Sequence, residues 1–187
     1  AYTRTKDEVT YEFAYLEGEL FDDYLHDMNI VQNFARLNRQ AIAADIIKSL
    51  KFTQLTSFST VHNYIDTENK ILRKGAISAQ DGERMIIPLN MRDGCLICRG
   101  KGNADWNCSA PHGAGRALNR TDTVNAFTLS QYKKEMQGIY STSISRDTLG
   151  ECPMAYKDSS TIMEQITPTV EIIEKLPPVY NFKAGTR

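Results

Sequence analysis

Apolar side chains recur at threes and fours along the first part of the chain: Leu16, Leu20, Tyr24, Leu25, Met28, Val31, Phe34, Ile42, Ile46 and Leu50, with no proline among them. That spacing predicts helix over residues 9 to about 50, with Gly18 and the "LNR" segment as possible breaks. After residue 56 the rhythm shortens. The runs "SFSTVHNYID", "KILRKGAIS", "RMIIPLN" and "GCLICRG" are β-type and are separated by the turn signals "TEN", "AQDGE" and "MRDG". A Gly/Asn-rich loop follows over 100–115, and residues 114–120 are expected to begin a short helix. "TLSQYKKEMQGIY" reads as a helix opened by Thr128 or Ser130. "DSSTIMEQI" and "TVEIIEKL" read as two more helices parted by Pro168, and "PPVYNFKA" as a closing strand. The pattern predicts a single α+β domain over 1–187, with a long N-terminal helical segment, central strands, further helices and a C-terminal strand.

A length of 187 residues supports one hydrophobic core and is short for two. No run of about 18 apolar residues occurs, so no membrane span is expected. The start, "AYTRTKDEVTYEF", lacks the basic-then-apolar layout of a signal peptide. Four cysteines stand at 95, 98, 108 and 152. Cys95 and Cys98 fall in a strand-like run, where positions three apart face opposite ways, which suits neither a zinc knuckle nor a redox turn. Structural cysteines in a reducing, cytoplasmic setting follow. Net charge is −1, yet residues 73–120 hold eight Lys/Arg against four Asp/Glu. A basic middle on an acidic body is what phosphate binding requires.

The candidate chemistry lies in "SAPHGAGRALNR". Gly113 and Gly115 permit backbone angles at which successive N–H groups converge on one point. A helix starting there would add its positive end, and Arg116 and Arg120, one helical turn apart, would share a face. Each charge-assisted hydrogen bond to an anion in such a cradle contributes about 1.5–3 kcal/mol. His112 stands on its rim, with an imidazole that is largely neutral at cellular pH and available as nucleophile or metal ligand. A tight turn whose histidine merely caps a helix is the plain alternative for this motif in isolation.

The motif is not isolated. "VHNYID", "LRKGAISA", "SAPHGAGRALNR", "ECPMAYKD" and "PVYNFKA", in that order, resemble the C-terminal half of the RtcB-type RNA ligases, the tRNA-splicing ligase family. The resemblance implies a ligase dependent on GTP and Mn2+ that joins RNA 2′,3′-cyclic phosphate or 3′-phosphate ends to 5′-hydroxyl ends through a histidine–GMP intermediate. It implies that His112 is the nucleophile and that His62 is a manganese ligand. It further implies that the nucleotide contacts are Asn63, the segment Pro88, Leu89, Asn90, Met91 with Cys95, the cradle Gly113, Ala114, Gly115, a guanine-stacking Tyr156 and a guanine-reading Lys183. Lys74, Arg116 and Arg120 are the implied grips on RNA or transferred phosphate. Cys95 and Asn119 stand where serine is expected in many relatives. The family's metal site also draws an aspartate, a cysteine and two histidines from an N-terminal half, which is the partner this chain would require. A non-catalytic guanine-nucleotide or RNA-binding module is the alternative from a different functional class.

Overall fold

The structure, a computed structural model, describes residues 15–184. The predicted helical residues 9–14 lie outside that range. Within it the chain divides into two units, one formed by residues up to 57 together with 64–72, the other by 58–63 together with 73 onward.

The first unit is dominated by α1 (Glu19–Ser49), which begins after Gly18 at φ +58° and runs through Leu37-Asn38-Arg39 without a break. Its apolar residues do what their spacing asks of a helix, yet none of its side chains is buried. The tip of a hairpin, residues 64–72, belongs to the same unit and meets α1 through polar groups. The Ile65 amide donates to Gln32 Oε1 at 2.8 Å, Thr67 Oγ1 bonds Asn29 Oδ1 at 2.9 Å, and the Lys70 ammonium lies 5.6 Å from the centre of the Phe21 ring.

The second unit holds the core. One sheet has the order β1-β2-β5, formed by β1 (His62–Asp66), β2 (Ile71–Ser78) and β5 (Ser109–Pro111). The other has the order β3-β4-β6, formed by β3 (Arg84–Asn90), β4 (Gly94–Gly100) and β6 (Val170–Leu176). β4 is central and apolar apart from the exposed Arg99, and Leu96 and Cys98 are completely buried there. The three helices α2 (Arg120–Ala126), α3 (Leu129–Glu135) and α4 (Ser159–Gln165) are short. α3 carries a full capping box between Thr128 and Gln131, and α4 is capped by Asp158, which accepts from the amides of Ser160 and Thr161.

Two apolar clusters result. Ile77, Met85, Ile87, Leu96, Ile162 and Val170 are among the members of one, which joins both sheets to α4. Met91, Tyr132, Met136, Leu149, Cys152 and Ala155 form the other. β3 contributes to both, through Leu89 and, just past its end, Met91.

Three expectations are corrected. "TVEIIEKL" is not a helix but strand β6, with Ile172 opposite Cys98 and Glu174 opposite Ile97. The run Val-Glu-Ile-Ile satisfies both periods, and the open edge of β4 decides between them. "PPVYNFKA" makes no strand; only Asn181 forms a bridge, to Ser141. Two successive prolines supply no N–H for a ladder. Residues 114–119 are not helical either, and α2 starts at Arg120 behind an Asn119 cap.

Candidate functional site

Pairing of β2 with β5 sets Ala76 opposite Pro111 and Ile77 opposite Ala110, which carries the next residue, His112, alongside Gly75. The His112 amide donates to Gly75 O at 3.3 Å, and its ring Nδ1 lies 2.7 Å from the same oxygen. A carbonyl oxygen only accepts, so in the neutral ring Nδ1 carries the proton and Nε2 the lone pair. Gly75 adopts φ +67°, and a Cβ there would stand 3.6 Å from the His112 ring. That separation is ordinary contact, so the demand for glycine is conformational rather than steric. The Gly75 amide in turn donates to Asn63 Oδ1 at 2.8 Å, and Asn63 itself sits at φ +55°. Asn63, Gly75 and His112 thus form one hydrogen-bonded chain. The His62 ring stacks on His112 with centroids 5.0 Å apart and planes 10° from parallel.

The loop after His112 is held against β3. Pro88 lies on an edge strand, where its missing N–H deprives no neighbour, and the ladder bulges between Pro88 and Asn90. The Ala114 amide donates to Pro88 O at 3.1 Å. A Cβ on Gly113 would meet that same oxygen at 3.0 Å, so glycine allows the close approach. Gly115 is required for its backbone, at φ +71°. The Asn90 side chain is committed to its own turn, its oxygen accepting from the amides of Arg92 and Asp93 and its nitrogen donating to Asp93 at 2.7 Å.

A cleft of about 760 Å³ opens here, within the size of small-molecule sites. Its walls gather twelve of the sixteen residues singled out from the sequence, Pro88, Leu89, Asn90, Met91, Cys95, His112, Gly113, Ala114, Gly115, Arg116, Tyr156 and Lys183, and leave out His62, Asn63, Lys74 and Arg120. Asn181 also lines it and was not anticipated. Its side-chain nitrogen donates to Met91 O at 2.7 Å, tying the C-terminal segment to the end of β3. The Lys183 amide donates to Ser143 Oγ at 2.9 Å, which fixes the segment a second time.

Tyr156 lines the same cleft. Its ring lies 5.1 Å from the Arg116 guanidinium carbon, and its hydroxyl donates to Glu151 Oε2 at 2.8 Å. Burial, reinforced by the Glu151 carboxylate, pushes the Tyr156 phenol up to about 12, so it remains a donor throughout the physiological range. Arg116 is braced at both ends, by Leu118 O at 2.9 Å and by the Gly150 carbonyl.

The arginine pair does not behave as expected. Arg116 and Arg120 share no helical face, because α2 begins only at Arg120. The α2 amino end adds nothing to a cradle at His112, since the Asn119 side chain and Asp122 close it between themselves. Arg116 lines the His112 cleft, whereas Arg120 lines a second one with Thr121, Asn125, Arg146 and Glu151. Lys74 is exposed on β2. The basic middle of the sequence is also dispersed: Arg73 is buried against Ser109, while Arg92 and Arg99 pair with acidic side chains.

Cys95 and Cys98 lie on β4, as the strand reading requires, and burial pushes both thiols up, Cys98 to about 11. Neither is a thiolate at neutral pH. Among the described residues no three His, Cys, Asp or Glu side chains lie close enough together to hold a metal ion. His62 with its neighbours therefore does not by itself fit a manganese site. Among the same residues no helix is long and apolar enough to cross a membrane.

Comparison with known proteins bears on the whole chain. The model of the family "tRNA-splicing ligase RtcB" matches residues 4–184. The RNA-splicing ligase RtcB of Escherichia coli K12 is 34% identical over 183 residues, covering 88% of this chain and 45% of that protein. The tRNA-splicing ligase RtcB of Aeropyrum pernix is 30% identical over 179 residues, and that of Pyrobaculum aerophilum 27% over 189. The chain spans less than half the length of each of these relatives.

Proposed function

This chain belongs to the tRNA-splicing ligase RtcB family, and on that premise we propose that it is the C-terminal half of a GTP- and Mn2+-dependent RNA ligase, carrying the nucleophile and the guanine pocket. One observation carries the reading: His112 turns Nδ1–H to Gly75 O, which makes Nε2 the lone-pair nitrogen of the neutral ring, and it lines the same cleft as Tyr156 and Lys183.

In the proposed reaction His112 Nε2 attacks the α-phosphorus of GTP. An N–P bond forms as the bond to the bridging oxygen breaks, and pyrophosphate departs. The guanylyl group then passes to an RNA 3′-phosphate, and a 5′-hydroxyl attacks that activated phosphate, releasing GMP. Covalent transfer of this kind divides one hard displacement into easier ones. The amides of Gly113 and Gly115 receive phosphate oxygens, that of Ala114 being held by Pro88 O, and Asn63 acts through Gly75 to fix the imidazole. Tyr156 offers a face to the purine and Lys183 a donor to its carbonyl. Lys74 and Arg120 are the side chains assigned to RNA, at sites separate from the nucleotide. GTP fits the residues present. Manganese does not, so no step is drawn through it; His62 becomes a ligand only when the N-terminal half supplies the others. The unburied apolar side chains of α1 support such a partner. The cytoplasm is the proposed setting.

The test is labelling with α-³²P GTP and manganese. The 187-residue chain alone is expected to label and ligate poorly or not at all, and the complete ligase to label at His112. Strong labelling of the chain alone would remove the need for a second half. Persistent labelling of the complete His112→Ala ligase would remove His112 from the chemistry. GTP binding without metal and without an adduct in any context would move the chain to the binding-module reading.

A further inference from the structure

Four of the side chains assigned to nucleotide and phosphate converge on a carboxylate that the sequence does not single out. Glu151 ends the 3-10 turn Leu149–Glu151. Its Oε2 accepts the Tyr156 hydroxyl at 2.8 Å and lies 3.8 Å from Lys183 Nζ. Its Oε1 accepts Arg120 Nε at 2.9 Å and lies 3.5 Å from an Arg116 terminal nitrogen. The side chain is 19% exposed, whereas Arg120 and Lys183 are 71% and 40% exposed and would otherwise swing freely.

The placement matters because Glu151 stands between two clefts. It lines the second one, about 900 Å³, beside Arg120, Arg146, Asp147 and Lys183. It does not line the His112 cleft, yet two walls of that cleft, Tyr156 and Lys183, hang on its Oε2. A tyrosine ring turns about two bonds and a lysine ammonium swings on four methylenes. One acceptor shared by both removes that freedom in two walls of the cleft.

We propose that Glu151 is a positioning residue for the purine end of the nucleotide cleft, holding the Tyr156 ring and the Lys183 ammonium where a guanine carbonyl and face are read. This rests on the guanine reading above and adds to it the group that confers selectivity. The charged and titratable groups facing Glu151 are Arg116, Arg120, Lys183 and Tyr156, with Arg146 and Asp147 in the same cleft. Burial works against its charge, but the hydrogen bonds from Tyr156 and Arg120 outweigh this and hold its carboxyl below the usual range. The carboxylate is therefore ionised wherever the enzyme works.

The experiment uses Glu151→Gln in the 187-residue chain with two readouts. The first is equilibrium binding of GTP and of ATP, whose 6-amino group offers no acceptor to Lys183. The expected result is a roughly tenfold fall in GTP affinity with ATP affinity unchanged, the size of losing one charged anchor. The second is the ultraviolet titration of Tyr156, taken as the difference between each protein and its Tyr156→Phe counterpart. Burial and the Glu151 carboxylate together push the phenol up to about 12, so without the carboxylate it should ionise at lower pH. An unchanged GTP-to-ATP ratio together with an unchanged Tyr156 titration overturns the proposal. A wild-type chain that does not prefer GTP over ATP overturns the guanine reading instead, and the titration then still decides whether Glu151 holds the ring. Should Glu151→Gln fail to fold, Tyr156→Phe alone serves: it keeps the ring and removes the bond, so a GTP preference equal to wild type counts against the proposal.

Discussion

The 31-residue helix α1 is richer in apolar side chains than the β-rich unit that follows it, yet the two have opposite fates. In the β-rich unit Leu96, Ile87 and Cys98 reach zero exposure, and two clusters close around them. In α1 nothing is buried, and Phe34 stands 70% exposed. The lesson is that hydrophobic period specifies a helix without specifying what covers it. A unit with two sheets carries its own cover. A long helix joined to a hairpin tip by a few polar contacts does not, since most helical stability in proteins comes from packing of an apolar face. Every residue that lines the His112 cleft falls in the self-covered unit.

Substitutions grade this contrast. Leu96→Ala should cost the β-rich unit about 3 kcal/mol, because a fully buried leucine leaves both lost transfer energy and a cavity. A denaturant midpoint followed by tyrosine fluorescence measures it, and a loss below about 1 kcal/mol would mean that this core is not closed. Gly75→Ala should cost about 1–2 kcal/mol for a left-handed backbone position. It should also lower guanylylation of the complete ligase by more than that stability loss explains, since it shifts the carbonyl that orients His112. Equal losses in both would reduce Gly75 to a fold residue. The smallest effect belongs to α1: Phe34→Ala in the chain alone should stay within about 0.5 kcal/mol. A cost above about 2 kcal/mol would erase the distinction between the units, whereas a cost that emerges only in the complete ligase would sharpen it.

Much of this was legible from residue order, for definite reasons. The hairpin strands announced themselves by alternation and Gly/Asn/Asp turns. Thr128 and Gln131 stand three apart, the spacing of the capping box they form. The cleft was legible through the order of five motifs shared with the RtcB-type ligases; a histidine before two glycines, taken alone, also fits a plain turn. β6 was not legible. Glutamate and lysine favour helices, Pro168 suggests a helix break, and only pairing with β4 reveals a strand. The supposed helix at 114–120 failed because Gly113 and Gly115 are spent on approaching Pro88 and on a left-handed turn, not on leading into a helix. Glu151 gave no signal of its own. A solitary carboxylate in "GECPM" looks like any surface acid until folding brings Tyr156, Lys183, Arg116 and Arg120 around it. Asn181 was hidden for the same reason, its partner Met91 lying 90 positions away.

The acceptor that fixes His112 is a main-chain oxygen, and this limits what genetics alone can see. Replacing side chains one at a time will report on the torsion angle at position 75, never on the carbonyl itself. A saturation screen would therefore rank this position as a hinge and overlook its part in choosing the imidazole tautomer. Isotope-resolved imidazole nitrogen spectra, with the Nδ1 proton observed directly, would reveal what no codon change does.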